Sequence, residues 1–511
     1  MHALGLGVVL LVGAWWRLRL IGEDLFGDEL ATWWDVTSPQ SIAGVIRLVS
    51  TDAEITPPLF FVLARIASWF GHSAEMMRLP SLIAGLLLIP VVYVWGRDIA
   101  SRSVGLLAAT IVAVAPFQLY YSTEARAYAV MMLLVALSTV SLWRAVHTQR
   151  ILWWVGYALC VAGAMYSHYT AIFTLIVLAV WALLACPAAR VKVLAANGGA
   201  ALLFAPWVPS VLRDQNSWTT DILSALTPLD IDSLVRHWTH WSIGYPYAAN
   251  PPGTIPGWPA VGALAVGLGV GAYSLIRQVR FDLRSPVALT VMLALANPVL
   301  ALLVSLVGSN VYGPRNLAAS WPALAVTLAL VALAPRGRAR ALAVGGVVVC
   351  FVTGGALTAL RDRGRPRVSE VLRVVDSEAG PRDVLVDGTA VLSPGPASVA
   401  DTIDHVPIFT VRVGAPEVRD RPFGLGDVRP SPMEVLQRLA RDLPAGGRVF
   451  WVTPVFKVNP EWLRTAGANV PRQGLAGLFT QSGWRIERRY DSQGGLLKIR
   501  LFVLSRARQS S

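Results

Sequence analysis

The feature that most restricts what this chain can become is the recurrence of apolar runs of about twenty residues, the length a helix needs to cross hydrocarbon. Within a bilayer such a run satisfies its backbone only as a helix, so the runs read as a bundle of membrane-spanning helices. Of 511 residues, 54% are hydrophobic and 15% charged, which excludes an ordinary soluble globular protein. The formal net charge of +13 does not indicate a nucleic-acid partner, because no basic stripe carries interleaved aromatics. The arginines fall instead in short clusters between apolar runs, as the positive-inside rule requires. Lys192, Lys457 and Lys498 are the sole lysines, a bias that points to a GC-rich bacterial genome. Cys160, Cys186 and Cys350 all lie in apolar runs without CxxC spacing, so neither a disulfide framework nor a cysteine zinc site is indicated.

Placing the clusters Arg97 to Arg102, His147 to Arg150, Arg190 to Lys192, Arg277 to Arg284 and Arg336 to Arg340 in the cytoplasm orients the chain. Spans follow near 4–20, 79–96, 103–121, 128–146, 151–167, 169–186, 191–208, 258–276, 286–307, 317–334 and 341–360, eleven in all. The first has no charged n-region and no small-residue cleavage site, so it reads as a retained span with a cytoplasmic N-terminus. Residues 1–360 then form a transmembrane module with a first external loop, 21–78, and a long aromatic-rich external loop, 209–257. Pro57 to Phe70 is too short to span and is expected as a juxtamembrane helix, with a second at Gln40 to Val49. Beyond Leu360 the hydropathy drops. Strand-like runs at Asp383 to Asp387, Val449 to Val452 and Leu496 to Leu504, with a helical pattern at Pro432 to Arg441, predict a small external α/β domain over 361–511.

On this topology the polar clusters all face outward. Asp28 and Glu29 follow the first span directly. A carboxylate at a partly desolvated interface suits the work of a base that takes a proton from a hydroxyl. The competing reading is an acidic pair stabilising the start of a helix. The run Tyr121 to Tyr128 contains Glu124 and Arg126 at a short turn, where a guanidinium fork would hold a phosphate, or else pin the hairpin by an ion pair. His168 and Tyr169 top the next hairpin; a metal there would require distant carboxylates such as Glu54 or Glu124. Tyr312 and Arg315 flank a Gly-Pro turn at the outer start of a span, a place for an anionic head group or for plain snorkelling.

The order of elements, an Asp-Glu pair after the first span, then Thr56-Pro57-Pro58-Leu59, Arg78-Leu79-Pro80-Ser81, Tyr121 to Tyr128 and Tyr166 to Tyr169, resembles the polytopic GT-C glycosyltransferases over roughly residues 1–330. The likeness is to the branch of protein O-mannosyltransferases and the lipid A aminoarabinose transferase. It implies a GT-C fold and transfer of a sugar, on the external face of a bacterial plasma membrane, from a polyprenyl-phosphate donor to a protein, glycolipid or wall glycan. It further implies Asp28 as base and Glu29 in support. Arg126, Arg315 and Tyr312 would lie at the donor phosphate, with Glu124, Tyr121, Tyr128, His168 and Tyr169 lining the substrate cavity. A monophosphate neutralised by arginines needs no metal, so no cofactor is expected, and one-step displacement would invert the anomeric centre. The chain departs from the pattern at Thr56, where many relatives carry His, and at Asn316, where many carry Tyr. Two other readings compete. A lipid or glycan flippase would place acids at mid-membrane, where this sequence has almost none. An assembly protein acting through its soluble tail would not need so many spans.

Overall fold

A computed structural model describes residues 2–25, 28–51, 54–215, 229–248, 257–278, 282–360, 367–387, 408–410, 432–455, 474–492 and 498–506. Parts of the expected loop 209–257 and of the expected α/β domain 361–511 lie outside the described residues. The chain divides into two compact units, Met1–Gly22 with Ser41–Arg361, and Glu23–Gln40 with Asp362–Ser511. The segment 23–40, part of the first external loop on sequence grounds, thus groups with the C-terminal residues.

The first unit is helical. It opens with α1 (His2–Leu20), α3 (Ile42–Val49), α4 (Leu59–Ala67), α5 (Ala74–Ile99), α6 (Arg102–Val114), α7 (Pro116–Tyr121) and α8 (Tyr128–Thr148). It continues with α9 (Ile151–Ser167), α10 (Ala171–Ala185), α11 (Arg190–Phe204) and α12 (Val208–Asp214). Helices Ile231–Ser242, Trp258–Gln278, Pro286–Val307, Trp321–Leu333 and Gly337–Leu360 follow, the fourth preceded by a 3-10 turn, Pro314–Ser320. Among the described residues eight helices are long and apolar enough to cross a membrane. Three of the segments read as spans, α6, α9 and α10, are shorter apolar helices of 13, 17 and 15 residues. Both proposed juxtamembrane helices are present as α3, capped by the Ser41 hydroxyl, and α4.

The break between α6 and α7 follows from one residue. Pro116 has no N–H to return to the carbonyl of Val112, and Ala115 turns extended, with φ −64° and ψ 134°. The carbonyls freed in this apolar setting need another donor. Arg17, reaching from α1 and fully buried, supplies it. One guanidinium nitrogen donates to Val112 O at 3.1 Å, the other to Ala113 O at 2.9 Å and to its own turn at Gly13 O. The start of α5 makes comparable ties. Buried Arg78 donates to Ile21 O at 2.7 Å, just past the end of α1, and the Ser81 hydroxyl donates to Arg126 O at 3.0 Å. One turn further on, Gly85 admits the next loop: a Cβ there would meet Ser122 Cβ at 2.2 Å.

The second unit contains α2 (Asp28–Thr37) and a five-stranded sheet of order β2-β1-β3-β5-β4. Its strands are β1 (Val384–Asp387), β2 (Ile408–Thr410), β3 (Val449–Val455), β4 (Trp484–Asp491) and β5 (Lys498–Arg506). β1 pairs in parallel with β2 and β3, whereas β5 runs antiparallel to β3 and β4. Alternating side chains build one core on each face. Leu385, Phe450 and Leu501 pack under the helix Val368–Glu378. Val386, Trp451 and Phe502 pack with Leu436 and Phe479 from helices Pro432–Asp442 and Gly474–Gln481. Asp383 locks β1 to β3 by accepting the Arg448 backbone N–H at 2.7 Å and its guanidinium at 2.8 Å. The Asp24 carboxylate accepts the backbone N–H of Ser369 at 2.8 Å, so the two chain segments of this unit are joined directly.

An arginine fork that closes a helix break cannot be replaced by a point charge. Arg17→Lys is expected to lower stability by about 2–3 kcal/mol, the worth of charged hydrogen bonds lost from a buried site, checked by thermal unfolding in detergent.

Candidate functional site

Within the helical unit, the polar turns picked out in the sequence gather at the ends of α7, α8, α9 and α10. The Tyr121 to Tyr128 turn begins where α7 ends. Thr123 and Ser122 hydroxyls back-bond to Leu119 O and Gln118 O, which closes the helix, and Arg126 N–H donates to Glu124 O at 2.8 Å. Tyr121 and Tyr128 meet edge to face with centroids 4.9 Å apart, and Tyr128 lies 5.3 Å from the His168 ring. Three sequence-chosen residues from two separate hairpins are therefore one cluster.

Arg126 is buried and pairs with the carboxylate of Glu54. The guanidinium donates to Glu54 Oε2 at 2.8 Å, to Oε1 at 3.2 Å and to Thr56 Oγ1 at 3.0 Å. It also sits over the Phe61 ring at 5.7 Å. Glu54 Oε1 in turn accepts the backbone N–H groups of Ile55 and Thr56, each at 3.0 Å. Thr56, one of the departures noted in the sequence, thus belongs to the cradle that holds the arginine. Arg126 forms a buried ion pair with a residue 72 positions away, outside its own hairpin.

His168 stands between α9 and α10. Its Nδ1 lies 3.3 Å from the Thr170 backbone nitrogen and 2.9 Å from Thr170 Oγ1. A backbone N–H can only donate, so Nδ1 is an acceptor and the neutral ring carries its proton on Nε2. Burial, with the charges of Arg315 and then Arg126, lowers the His168 pKa to about 3. The same two arginines acting on one imidazole put Arg315 and Arg126 in one electrostatic neighbourhood. The Tyr169 hydroxyl donates to Asp214 Oδ2 at 2.6 Å and accepts from Trp207 Nε1 at 3.0 Å.

Arg315 lies half-buried in the 3-10 turn Pro314–Ser320. Asn316, the second departure, builds that turn, its side chain donating to Val311 O at 2.9 Å. Tyr312 is buried, its ring 6.4 Å from that of His237. Asp28 and Glu29 belong to the other unit, in the first turn of α2; Glu29 is buried and Asp28 half-buried. Thr32 back-bonds to Asp28 O at 3.1 Å. Among the described residues, no group of three His, Cys, Asp or Glu side chains converges as a metal site would.

Three functional candidates went unassigned in the sequence: Asp214, Asn297, and Glu54 as an arginine partner. Glu54 and Asp214 did carry a signal, an acid at the edge of an apolar run. Asn297, amid α-helical Ala and Leu, carried almost none.

Residues 55–210 match the family model for dolichyl-phosphate-mannose-protein mannosyltransferase. No curated protein sequence matches the chain. Among solved structures, ArnT from Cupriavidus metallidurans bound to undecaprenyl phosphate matches with a TM-score of 0.54 and 12% identity, covering 98% of this chain and 97% of that one. The archaeal oligosaccharyltransferase AglB from Archaeoglobus fulgidus, in complex with an inhibitory peptide and a dolichol-phosphate, gives a TM-score of 0.43 at 13% identity, covering 70% of this chain and 56% of that one.

Two outcomes follow from the geometry. Removing one partner of a buried pair strands the other, so Glu54→Gln is expected to cost about 3–5 kcal/mol, well above Thr56→Val at about 1 kcal/mol, measured by unfolding in detergent. For His168 the folded pKa lies below the unfolded one, so the unfolded chain takes up a proton first as pH falls below about 6.5. Stability contributed by neutral His168 is then lost at about 1.4 kcal/mol per pH unit. The drop in unfolding midpoint between pH 7.5 and 5.5 should accordingly shrink in His168→Gln.

Proposed function

We propose that this multi-pass membrane protein, which has the GT-C fold of ArnT-like and protein-mannosyltransferase-like proteins, transfers a sugar from a polyprenyl-phosphate donor to an acceptor hydroxyl. The observation that carries the reading is the pairing of two findings. The segment matching the mannosyltransferase family includes the Tyr121 to Tyr128 and His168 turns. The His168 turn is tied to the turn carrying Arg315, from outside that segment, through the Asn297 amide, which donates to Thr170 O and to Asn316 O.

In this reading Asp28 takes the proton of the acceptor hydroxyl as its oxygen attacks the anomeric carbon. The bond from that carbon to the phosphate oxygen breaks, and its electron pair leaves with the lipid phosphate. Arg315 contacts that phosphate. Arg126 keeps its pair with Glu54 and contributes through its field, because a direct contact would have to displace a buried carboxylate. Tyr312 would stand beside Arg315 near the head group. Neutral His168, with its Nε2–H as donor, is suited to a sugar hydroxyl, and Tyr121, Tyr128, Tyr169 and Glu124 shape the sugar pocket. Glu29 supports Asp28. One displacement by one base inverts the centre, and arginine carries the neutralisation that a metal would otherwise supply.

The support for a lipid-linked donor is the fold shared with ArnT, whose structure holds undecaprenyl phosphate. Apolar helices in the same unit suit a prenyl chain, and the positive-inside pattern supports an external site in the plasma membrane with a cytoplasmic N-terminus. The acceptor would be a protein, a glycolipid or a wall glycan.

The decisive variant is Asp28→Asn, assayed in membranes with undecaprenyl-phosphate-linked sugars labelled in the sugar. Loss of a base is expected to lower transfer by about 10²–10⁴-fold, while binding of undecaprenyl phosphate stays at the wild-type level. Turnover retained in Asp28→Asn excludes that residue as the base.

A further inference from the structure

Asn297 sits within the helix Pro286–Val307 and is completely buried. Its amide uses every hydrogen-bonding position it has. Nδ2 donates to Thr170 O at 3.0 Å and to Asn316 O at 2.8 Å. Oδ1 accepts from the Thr174 and Ser320 hydroxyls, and the backbone N–H of Asn297 donates to Ser320 Oγ at 2.9 Å. With two carbonyls on one side and two hydroxyls on the other, the chemistry leaves one orientation for the amide.

The two carbonyls are not equivalent bystanders. Thr170 closes the turn that holds His168, through its hydroxyl and backbone N–H on Nδ1. Asn316 follows Arg315 and holds its own turn at Val311. A single amide therefore ties the turn carrying Arg315 to the turn carrying His168, across 127 residues of chain on one side and 19 on the other. Buried polar networks that are fully satisfied fix one geometry, since a half-made network is costly in a low dielectric. A stability role alone would not require the two arms to end on these two turns.

We infer that Asn297 is a positioning residue that sets Arg315 against His168, and so sets where the donor phosphate rests relative to the sugar. The inference rests on the function proposed above for Arg315. Misplacing a reacting group by about an ångström costs up to about 100-fold in rate, which is the scale to look for.

The test has two arms. Hydrogen exchange in full-length protein follows the amides of 168–171 and 311–317. Asn297→Leu, of similar shape, is expected to raise exchange in both turns together, whereas Thr174→Val, which removes one hydroxyl from Oδ1 and neither tie, leaves them near wild type. Unchanged exchange in Asn297→Leu overturns the clamp. The second arm is a double-mutant cycle with Arg315→Lys, read as transfer from undecaprenyl-phosphate-linked sugar. Asn297→Leu is expected to lower transfer relative to donor concentration by about 10–100-fold in the wild-type background and by less than about threefold when Arg315 is already Lys. Equal losses in both backgrounds overturn the positioning role. Wild-type protein that neither transfers sugar nor binds undecaprenyl phosphate would sink the proposed function instead, leaving the clamp to stand or fall on the exchange data.

Discussion

The helical unit depends on one constraint: a polar group drawn into an apolar bundle must find its partner within the protein. Arg17, Arg126 and Asn297 are three answers to it, and each joins parts of the chain that are distant in sequence. Arg17 completes a helix that Pro116 interrupts. Arg126 brings the segment between α1 and α5 onto the turn after α7. Asn297 unites the turn after α9 with the turn before the helix Trp321–Leu333. In each case a donor with fixed geometry, guanidinium or amide, meets carbonyls or a carboxylate, so the contact specifies a register as well as a proximity.

These ties also explain why particular short motifs stand where they do. Arg78 and Ser81, about one turn apart in α5, hold the residue after α1 and the backbone of Arg126. Thr56 contributes its hydroxyl to Arg126 and its backbone N–H to Glu54. Asn316 uses its side chain for its own turn and its carbonyl for Asn297. The two departures from the family pattern are accordingly built into the local framework of this chain, which accounts for a Thr and an Asn in those places.

Much of the fold was legible because hydrophobic periodicity is a local signal. The ends of α8 and α9, the juxtamembrane helices and the strands at Val384, Val449 and Lys498 were all readable from runs of apolar residues and their punctuation. The break at Ala115 was not, because a Pro inside an apolar run does not say whether the helix bends or stops until its freed carbonyls find a donor. The candidate site divides in the same way. Tyr121, Tyr128 and His168 were visible as polar islands between apolar runs. Glu54 as the partner of Arg126 was not visible, since a charge pair 72 residues apart leaves no trace in local sequence. Asp28 drew notice only for its place after the first span, and its neighbours could not be read, because the grouping of 23–40 with the C-terminal residues is a property of the whole chain.

That grouping has a consequence for biosynthesis. Residues 23–40 are made well before the part of the chain with which they share a unit, which begins at residue 362. The Asp24 carboxylate waits for the amide of Ser369 while every intervening helix is made and inserted. The acidic segment can reach its final surroundings only after the chain has been made past Ser369. A chain ended before residue 362 would therefore carry the helices of the first unit together with a 23–40 segment that lacks the rest of its own unit.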